Sequence, residues 1–308
     1  MKEHHHQKRT SISAALAAIY SSKLTKATAL FLLLFLTYAL GFLFSSSSPP
    51  QPVSQPITRR NRATSAPPNP LDEFKITTQC SPPLPSNLVR QTILDKVYNG
   101  TSPYANFPPA HVSNLLRPKR IKGWGSTGAV FGNLISRSKP KTIIEVGTFL
   151  GASAIHMAQK AQAHGLKAQI LCLDDFRGWP GFQDRFKDIK MINGDVLLLY
   201  QFMQNVVYMN QTESILAVPF STGSGLEKLC EWGIMADLIE IDAGHDFNSA
   251  WADINRAYKI LRPGGVLFGH DYFTAADNRG VRRAVNLFAH INGLKVKVDG
   301  QHWVIDLA

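Results

Sequence analysis

The stretch KTIIEVGTFLG, residues 141–151, decides the fold. Lys141–Val146 is a short β-branched run, and the turn from Gly147 to Gly151 opens into a helical stretch, Ala152–His164. A strand fed through glycines into a helix starts a parallel α/β unit. Gly147 lets the chain turn tightly and lets a ligand approach the backbone, and Gly151 allows close contact at the helix start. The helix start offers free N–H groups and positive potential to an anionic group. Glu145 is a carboxylate near the end of a strand expected to be buried on both faces, which is costly without a partner. A bound ligand's ammonium is a better neighbour for it than a dry core.

Outward from this unit the pattern repeats. Strands are expected at Gln169–Leu173, Ser214–Pro219, Asp237–Ile241 and Gly264–Gly269, and helices at Gly225–Trp232, Phe247–Leu261 and Gly280–Ile291. Leu294–Val298 and His302–Leu307 read as a hairpin around Asp299-Gly300. Upstream, helices are expected at 86–99 and at Thr127–Ser136, with a loop over 101–125. Apolar strands alternating with helices imply a parallel sheet covered on both faces. Residues 176–213 are the least regular part and read as an insertion, with the aromatics at helical spacing assigned to the core.

The chemistry gathers at strand ends. The second strand ends in Asp174-Asp175. Asp174 lies 23 residues beyond Gly151, where an open α/β sheet holds ribose hydroxyls, and Asp175 is the competing position. Glycines plus this acid point to a nucleoside-containing cofactor. The dinucleotide spacing G-x-G-x-x-G and the Lys-Ser/Thr of a phosphate loop are both missing. Asp242, His245, His270 and Asp271 follow the strands ending at Ile241 and Gly269. Asp242 and Asp271, with His270 as a possible third, are candidates for a hard divalent cation. His245 is the candidate general base for an acceptor hydroxyl.

Together EVGTFLGAS, LDDF, IDAGHDF, LRPGGVLFGHDY and GVRRAV resemble the class I S-adenosylmethionine-dependent methyltransferases, most closely the branch near the caffeoyl-CoA and macrocin O-methyltransferases. The resemblance covers about residues 121–308. It implies a Rossmann-like, seven-stranded, mostly parallel sheet with a C-terminal β-hairpin. It places Glu145, Gly147 and Gly151 near the methionine end of S-adenosyl-L-methionine, Asp174 on the ribose, Thr222 and Ser224 near the adenine, and Asp242 at the cofactor as well. Metal-dependent relatives often carry two acids after the fifth strand. Here one is His270, so the expectation leans to metal-independent chemistry with His245 as base.

The chain divides into a basic tail (1–26), an apolar span (27–44), a Ser/Pro-rich stem (45–83) and a catalytic domain (84–308, core 121–308). Residues 27–44 are all uncharged and, as a helix, would extend about 27 Å. No clear cleavage site follows, and five Lys/Arg precede the span, favouring a cytoplasmic N-terminus. The expectation is a type II signal-anchor protein of the Golgi or endomembranes with a lumenal domain. A plastid address is the alternative, from the Ser-rich, acid-poor N-terminus. Sequons at Asn99 and Asn210 are consistent with a lumen.

The 308 residues carry a net charge of +11 and 44% hydrophobic residues, which excludes a wholly disordered chain. Residues 1–70 hold eight Lys/Arg and one acid, so the tail carries most of the basic excess and nucleic-acid binding is not expected. Three cysteines exclude a disulfide-stapled scaffold and allow at most one intrachain bridge, with Cys172 an inert thiol in a buried strand. The expected partner is a small-molecule or glycan-like methyl acceptor. The competing readings are a Golgi-type glycosyltransferase, which would need a D-x-D-like site, and a non-catalytic nucleoside-binding module.

Overall fold

The structure, a computed structural model, describes residues 76–307 and Thr37. The basic tail, the rest of the 27–44 span and most of the stem lie outside the described residues. Among the described residues, no helix is long and apolar enough to cross a membrane.

Each apolar run becomes a strand with no polar face to spare. β1 (Thr142–Val146) and β2 (Gln169–Leu173) are buried at every position. β5 (Ile215–Val218), β6 (Ala236–Ile241) and β7 (Leu261–Gly269) run parallel to them. β8 (Val296–Asp299) and β9 (His302–Asp306) close the edge as a hairpin, with β9 antiparallel to β7. The sheet order is β5-β2-β1-β6-β7-β9-β8, so the expected seven strands and C-terminal hairpin are present. Two crossovers lead outward from β1, and the chain then returns to β6 on its other side. The topological switch point therefore lies between β1 and β6, where such sheets bind ligands.

Side chains alternate between two layers. Ile144, Val146, Leu171, Leu173, Ile239 and Ile241 face α1 (Val89–Tyr98), α6 (Thr222–Glu231), α7 (Phe247–Lys259) and α8 (Ala276–Ile291). Ile143, Ile170, Cys172 and Leu238 face α2 (Ala129–Ser138), α3 (Ala152–Ala163) and α5 (Leu198–Tyr208). Each fully buried Leu, Ile or Phe here contributes about 1.5–3 kcal/mol. The same alternation sends Glu145 and Glu240 to the second layer, in register with each other. α8 turns regular only from Gly280, because Asp277, Asn278 and Arg279 are left-handed.

Residues 176–213 carry the short helix α4 (Phe182–Arg185), then a small hairpin of β3 (Met191–Ile192) and β4 (Asp195–Val196), then α5. At the start of the described domain, Cys80 is disulfide-bonded to Cys230 in α6. The Ser81 and Leu84 amides donate to the carbonyls of Cys230 and Gly233. Cys172 is free and buried, as expected.

Candidate active site

The turn after β1 is drawn together from both sides. Gly147 has φ +87°, and a Cβ there would stand 2.1 Å from the carbonyl oxygen of Asp242. Only glycine permits that approach between the ends of β1 and β6. Phe149 and Phe176, in the turns after β1 and β2, are also left-handed, with φ 53° and 56°. For an aromatic residue that costs on the order of 1 kcal/mol or more, strain of the kind that gathers at functional sites.

Asp174 holds the two turns in place. Its Oδ2 accepts the amides of Thr148 and Phe149 at 3.0 and 2.9 Å, and its Oδ1 accepts that of Phe176 at 2.7 Å. Burial raises its pKa, and these backbone bonds oppose the rise. The residue expected on a ribose is thus also an organiser of the loop. A carboxylate offers about four acceptor positions. Three are engaged by these amides, leaving one acceptor position. Asp175 is exposed and accepts the Arg177 amide at 3.0 Å.

Glu145 is fully buried, and its two oxygens accept the hydroxyls of Thr148 and Ser153. Burial pushes its pKa up to about 7 against those bonds. Glu240, unexplained by the sequence, pairs in register with Glu145, and its Oε2 has no hydrogen-bond partner. Burial and the neighbouring carboxyls of Glu145 and Asp242 keep Glu240 protonated well above the usual carboxylate range. Gly151, with φ +81°, caps α3, and no side chain caps that helix start. Its first amides therefore remain open to an anionic group.

At the same carboxyl end of β2, a Cβ on Gly225 would stand 2.1 Å from Leu173, so the first turn of α6 packs on the strand end. Thr222 and Ser224 sit in that turn. The Ser224 hydroxyl lies 3.0 Å from that of Ser221, while Thr222 reaches Asp253 of α7.

The ends of β6 and β7 hold a different kind of cluster. His245 Nε2 lies 2.9 Å from Asp271 Oδ2. His270 Nδ1 lies 3.3 Å from the same oxygen and 3.9 Å from Asp242 Oδ1. The Thr274 hydroxyl donates to the other Asp271 oxygen. Burial disfavours charge on Asp271, but the close imidazoles of His245 and His270 and the Thr274 hydroxyl prevail and hold its pKa well below the carboxylate range. Burial instead pushes Asp242 up to about 7. The Asp271 carboxylate raises the pKa of both His245 and His270. Asp271 itself has φ 60°. Ligand atoms of Asp242, His245 and Asp271 lie within 4.8 Å of one another, a set of two oxygens and one imidazole that fits a divalent cation.

The structure thus brings His245 to both cation candidates, Asp242 and Asp271, while His270 stands behind them. Gly147 joins the two halves through Asp242. The sequence reading missed the hydroxyls of Thr148 and Ser153 on Glu145, the Thr274 bond to Asp271, and Gly125. A Cβ on Gly125 would stand 2.5 Å from His270 Nε2, so residues 123–126 run close beside the β7 end.

Residues 144–272 match a family model described as a methyltransferase domain. The methyltransferase-domain match runs from β1 to just past β7, so it takes in Glu145, Asp174, Asp242, His245 and Asp271. No curated protein matches the chain. Among solved structures, the chain is similar to cofactor-bound Rv0187 from MTB (19% identity, 74% of this chain and 99% of that one, TM-score 0.46). It is similar to the O-methyltransferase from Bacillus cereus in complex with SAH (19%, 70% and 94%, TM-score 0.43). A third is the O-methyltransferase TomG from Streptomyces achromogenes, involved in tomaymycin synthesis, in complex with SAM (13%, 61% and 81%, TM-score 0.41).

Proposed function

We propose that the chain is an S-adenosylmethionine-dependent methyltransferase acting on a hydroxyl oxygen. One observation carries the reading. At the switch point, Glu145 and Asp242 stand at adjacent strand ends, both pushed up to about 7 by burial. A cation arriving beside them would relieve that cost, because an opposite charge favours the ionised carboxyl. S-adenosylmethionine is cationic at its sulfonium and its ammonium, and the other groups fit it too. The open amides of α3 suit its carboxylate, and the remaining acceptor position on Asp174 suits a ribose hydroxyl. Thr222 and Ser224, on α6 beside the β2 end, are the candidates for its adenine. When bound, it supplies an electrophilic methyl carbon whose bonding pair stays on sulfur as the acceptor oxygen takes the methyl.

The chain's own contribution is positioning and proton removal. His245 gives its Nε2 hydrogen to Asp271, which leaves Nδ1 to take the acceptor's proton. Asp271 then stabilises the imidazolium. A second reading is favoured by the clustering of Asp242, His245 and Asp271. There a divalent cation held by these three lowers the pKa of the acceptor hydroxyl.

We also propose a lumenal domain anchored by residues 27–44. The Cys80–Cys230 disulfide suits an oxidising compartment. The sequon residues Asn99 and Asn210 are both exposed just past helix ends.

Calorimetry on the full-length chain in detergent tests the cofactor, with S-adenosylhomocysteine, UDP-sugars and NAD as titrants. Binding of S-adenosylhomocysteine alone is expected. Binding of a UDP-sugar alone would favour the glycosyltransferase reading. Protease protection of the domain in sealed vesicles tests the topology, and digestion in intact vesicles would refute it.

A further inference from the structure

We propose that the methyl acceptor is an acidic carbohydrate and that it docks on a lip of exposed indoles and cations beside the rim. The proposal rests on the methyltransferase reading and the lumenal placement above. Two segments form the lip. Residues 117–124 carry Arg117, Lys119, Arg120 and Lys122 with no acid, and residues 176–190 carry four Lys/Arg against Asp184 and Asp188. Together they sum to +6. Residues 71–308 hold 25 Lys/Arg and 21 Asp/Glu, a net +4, so everything outside the lip sums to −2. The basic excess of the domain is concentrated here.

The two segments make one surface. The Arg120 guanidinium pairs with Asp188, and Trp124 packs on Trp179 and Phe186 at 6.5 and 6.3 Å between ring centroids. Phe182 and Phe186 are buried beneath, while Trp124 and Trp179 remain 43% and 39% exposed. The two indole planes meet at 60°, forming a corner with Lys122 Nζ 5.7 Å from the Trp124 ring. The two indoles adjoin in one apolar patch, and an exposed apolar patch rimmed by polar groups marks an interaction site. A sugar ring suits this corner chemically. Its C–H face covers an indole, its hydroxyls stay at the wet edge, and a uronate carboxylate meets Lys122 beside the Trp124 ring. The lumenal placement proposed above favours an acidic glycan over coenzyme A thioesters and RNA as the occupant.

The lip also borders the chemistry. Trp124 stacks on Phe149, in the turn after β1, at 5.4 Å, and its neighbour Gly125 lies against His270 at the end of β7. A glycan seated on Trp124 therefore adjoins both halves of the rim.

The test is calorimetry on the full-length chain in detergent with short oligogalacturonates. Maltooligosaccharides of equal length, coenzyme A and single-stranded RNA are the controls. Oligogalacturonate should bind and the neutral oligomer should not. Trp124→Ala with Trp179→Ala should weaken oligogalacturonate about tenfold. Affinity for S-adenosylhomocysteine should change less than affinity for oligogalacturonate, with the fold retained. Lys122→Ala with Arg177→Ala should weaken it similarly and flatten its salt dependence. If the tryptophan variant melts early, the charge variant decides. Equal binding of the neutral oligomer, tighter binding of coenzyme A or RNA, or wild-type affinity in a folded variant would overturn the proposal. A wild-type chain that binds S-adenosylhomocysteine but no oligogalacturonate defeats only the lip. The reverse defeats the methyltransferase reading and leaves the lip standing.

Discussion

The two halves of the rim are built by opposite means. At the ends of β1 and β2, backbone does the organising: a single carboxylate, Asp174, takes three amides, and Gly147 and Gly151 supply left-handed turns. At the ends of β6 and β7, side chains do it: Asp242, His245, His270 and Asp271 set one another's charge. The first half is a fixed cradle, suited to a constant cofactor. The second is a proton-sharing cluster, suited to the step in which charge moves. Fixed amides are pre-organised and cost no reorientation during reaction, whereas a cluster of titratable groups responds to pH and to ligands.

The sharpest way to break this division is through His245. His245→Ala should lower methyl transfer about 10²–10⁴-fold and leave cofactor affinity unchanged, as measured by turnover beside calorimetry. Full activity in that variant would remove its role. EDTA separates the two readings of the same cluster. Activity retained in EDTA supports His245 alone, and loss restored by Mg²⁺ or Mn²⁺ supports the cation.

Next in size is Asp174. Asp174→Ala leaves three amides without their acceptor and removes the remaining position for a ribose hydroxyl. Cofactor affinity and stability should each fall by roughly 1.5–3 kcal/mol, read by calorimetry and thermal melting. Asp175→Ala should change neither. A loss in Asp175→Ala with none in Asp174→Ala would move the assignment by one residue.

More gradual is the pH response of stability, spread over several pH units. Glu145 and Asp242 titrate near 7 in the folded chain against ordinary values of 4.5 and 3.8. The folded state therefore holds more protons than the unfolded state between about pH 4 and 7. Stability should fall as pH rises through that window, by at most about 1.4 kcal/mol per pH unit for each group. His245 and His270, both raised, continue the fall above 6.5. Asp271, lowered, acts only on the acid side of 3.8. Asp242→Asn should flatten the melting curve across this window, and an unchanged slope would contradict the assignment.

The smallest effect is expected at Glu240. It is protonated and lacks a partner on Oε2, so Glu240→Gln should shift stability by no more than about 1 kcal/mol. A large loss in thermal melting would show that its charge matters.

How much of this was legible follows from the length of each signal. Gln169–Leu173 has the same bounds in the sequence reading and the structure, because an apolar run buried on both faces leaves little choice. The β3–β4 hairpin went unread despite Asn193-Gly194, since strands of two residues are too short to show alternation. Three cysteines left the pairing of Cys80 open, and the fold closed it across 150 residues. Glu145, Asp174 and His245 stood out as charged groups at apolar strand ends. Their partners did not. Ser153 reaches Glu145 from the first turn of α3, and Glu240 meets it only once β1 pairs with β6. Non-local register is invisible to spacing along the chain.

The rim divides into a backbone-built cradle and a side-chain cluster. The most direct test of this division is the dissociation constant of S-adenosylhomocysteine in two variants of the full-length chain, Asp174→Ala and His245→Ala, measured side by side by calorimetry. If the rim is divided in this way, affinity weakens about tenfold or more in the first and stays at the wild-type value in the second. Equal losses in both, or a loss confined to His245→Ala, would contradict the division.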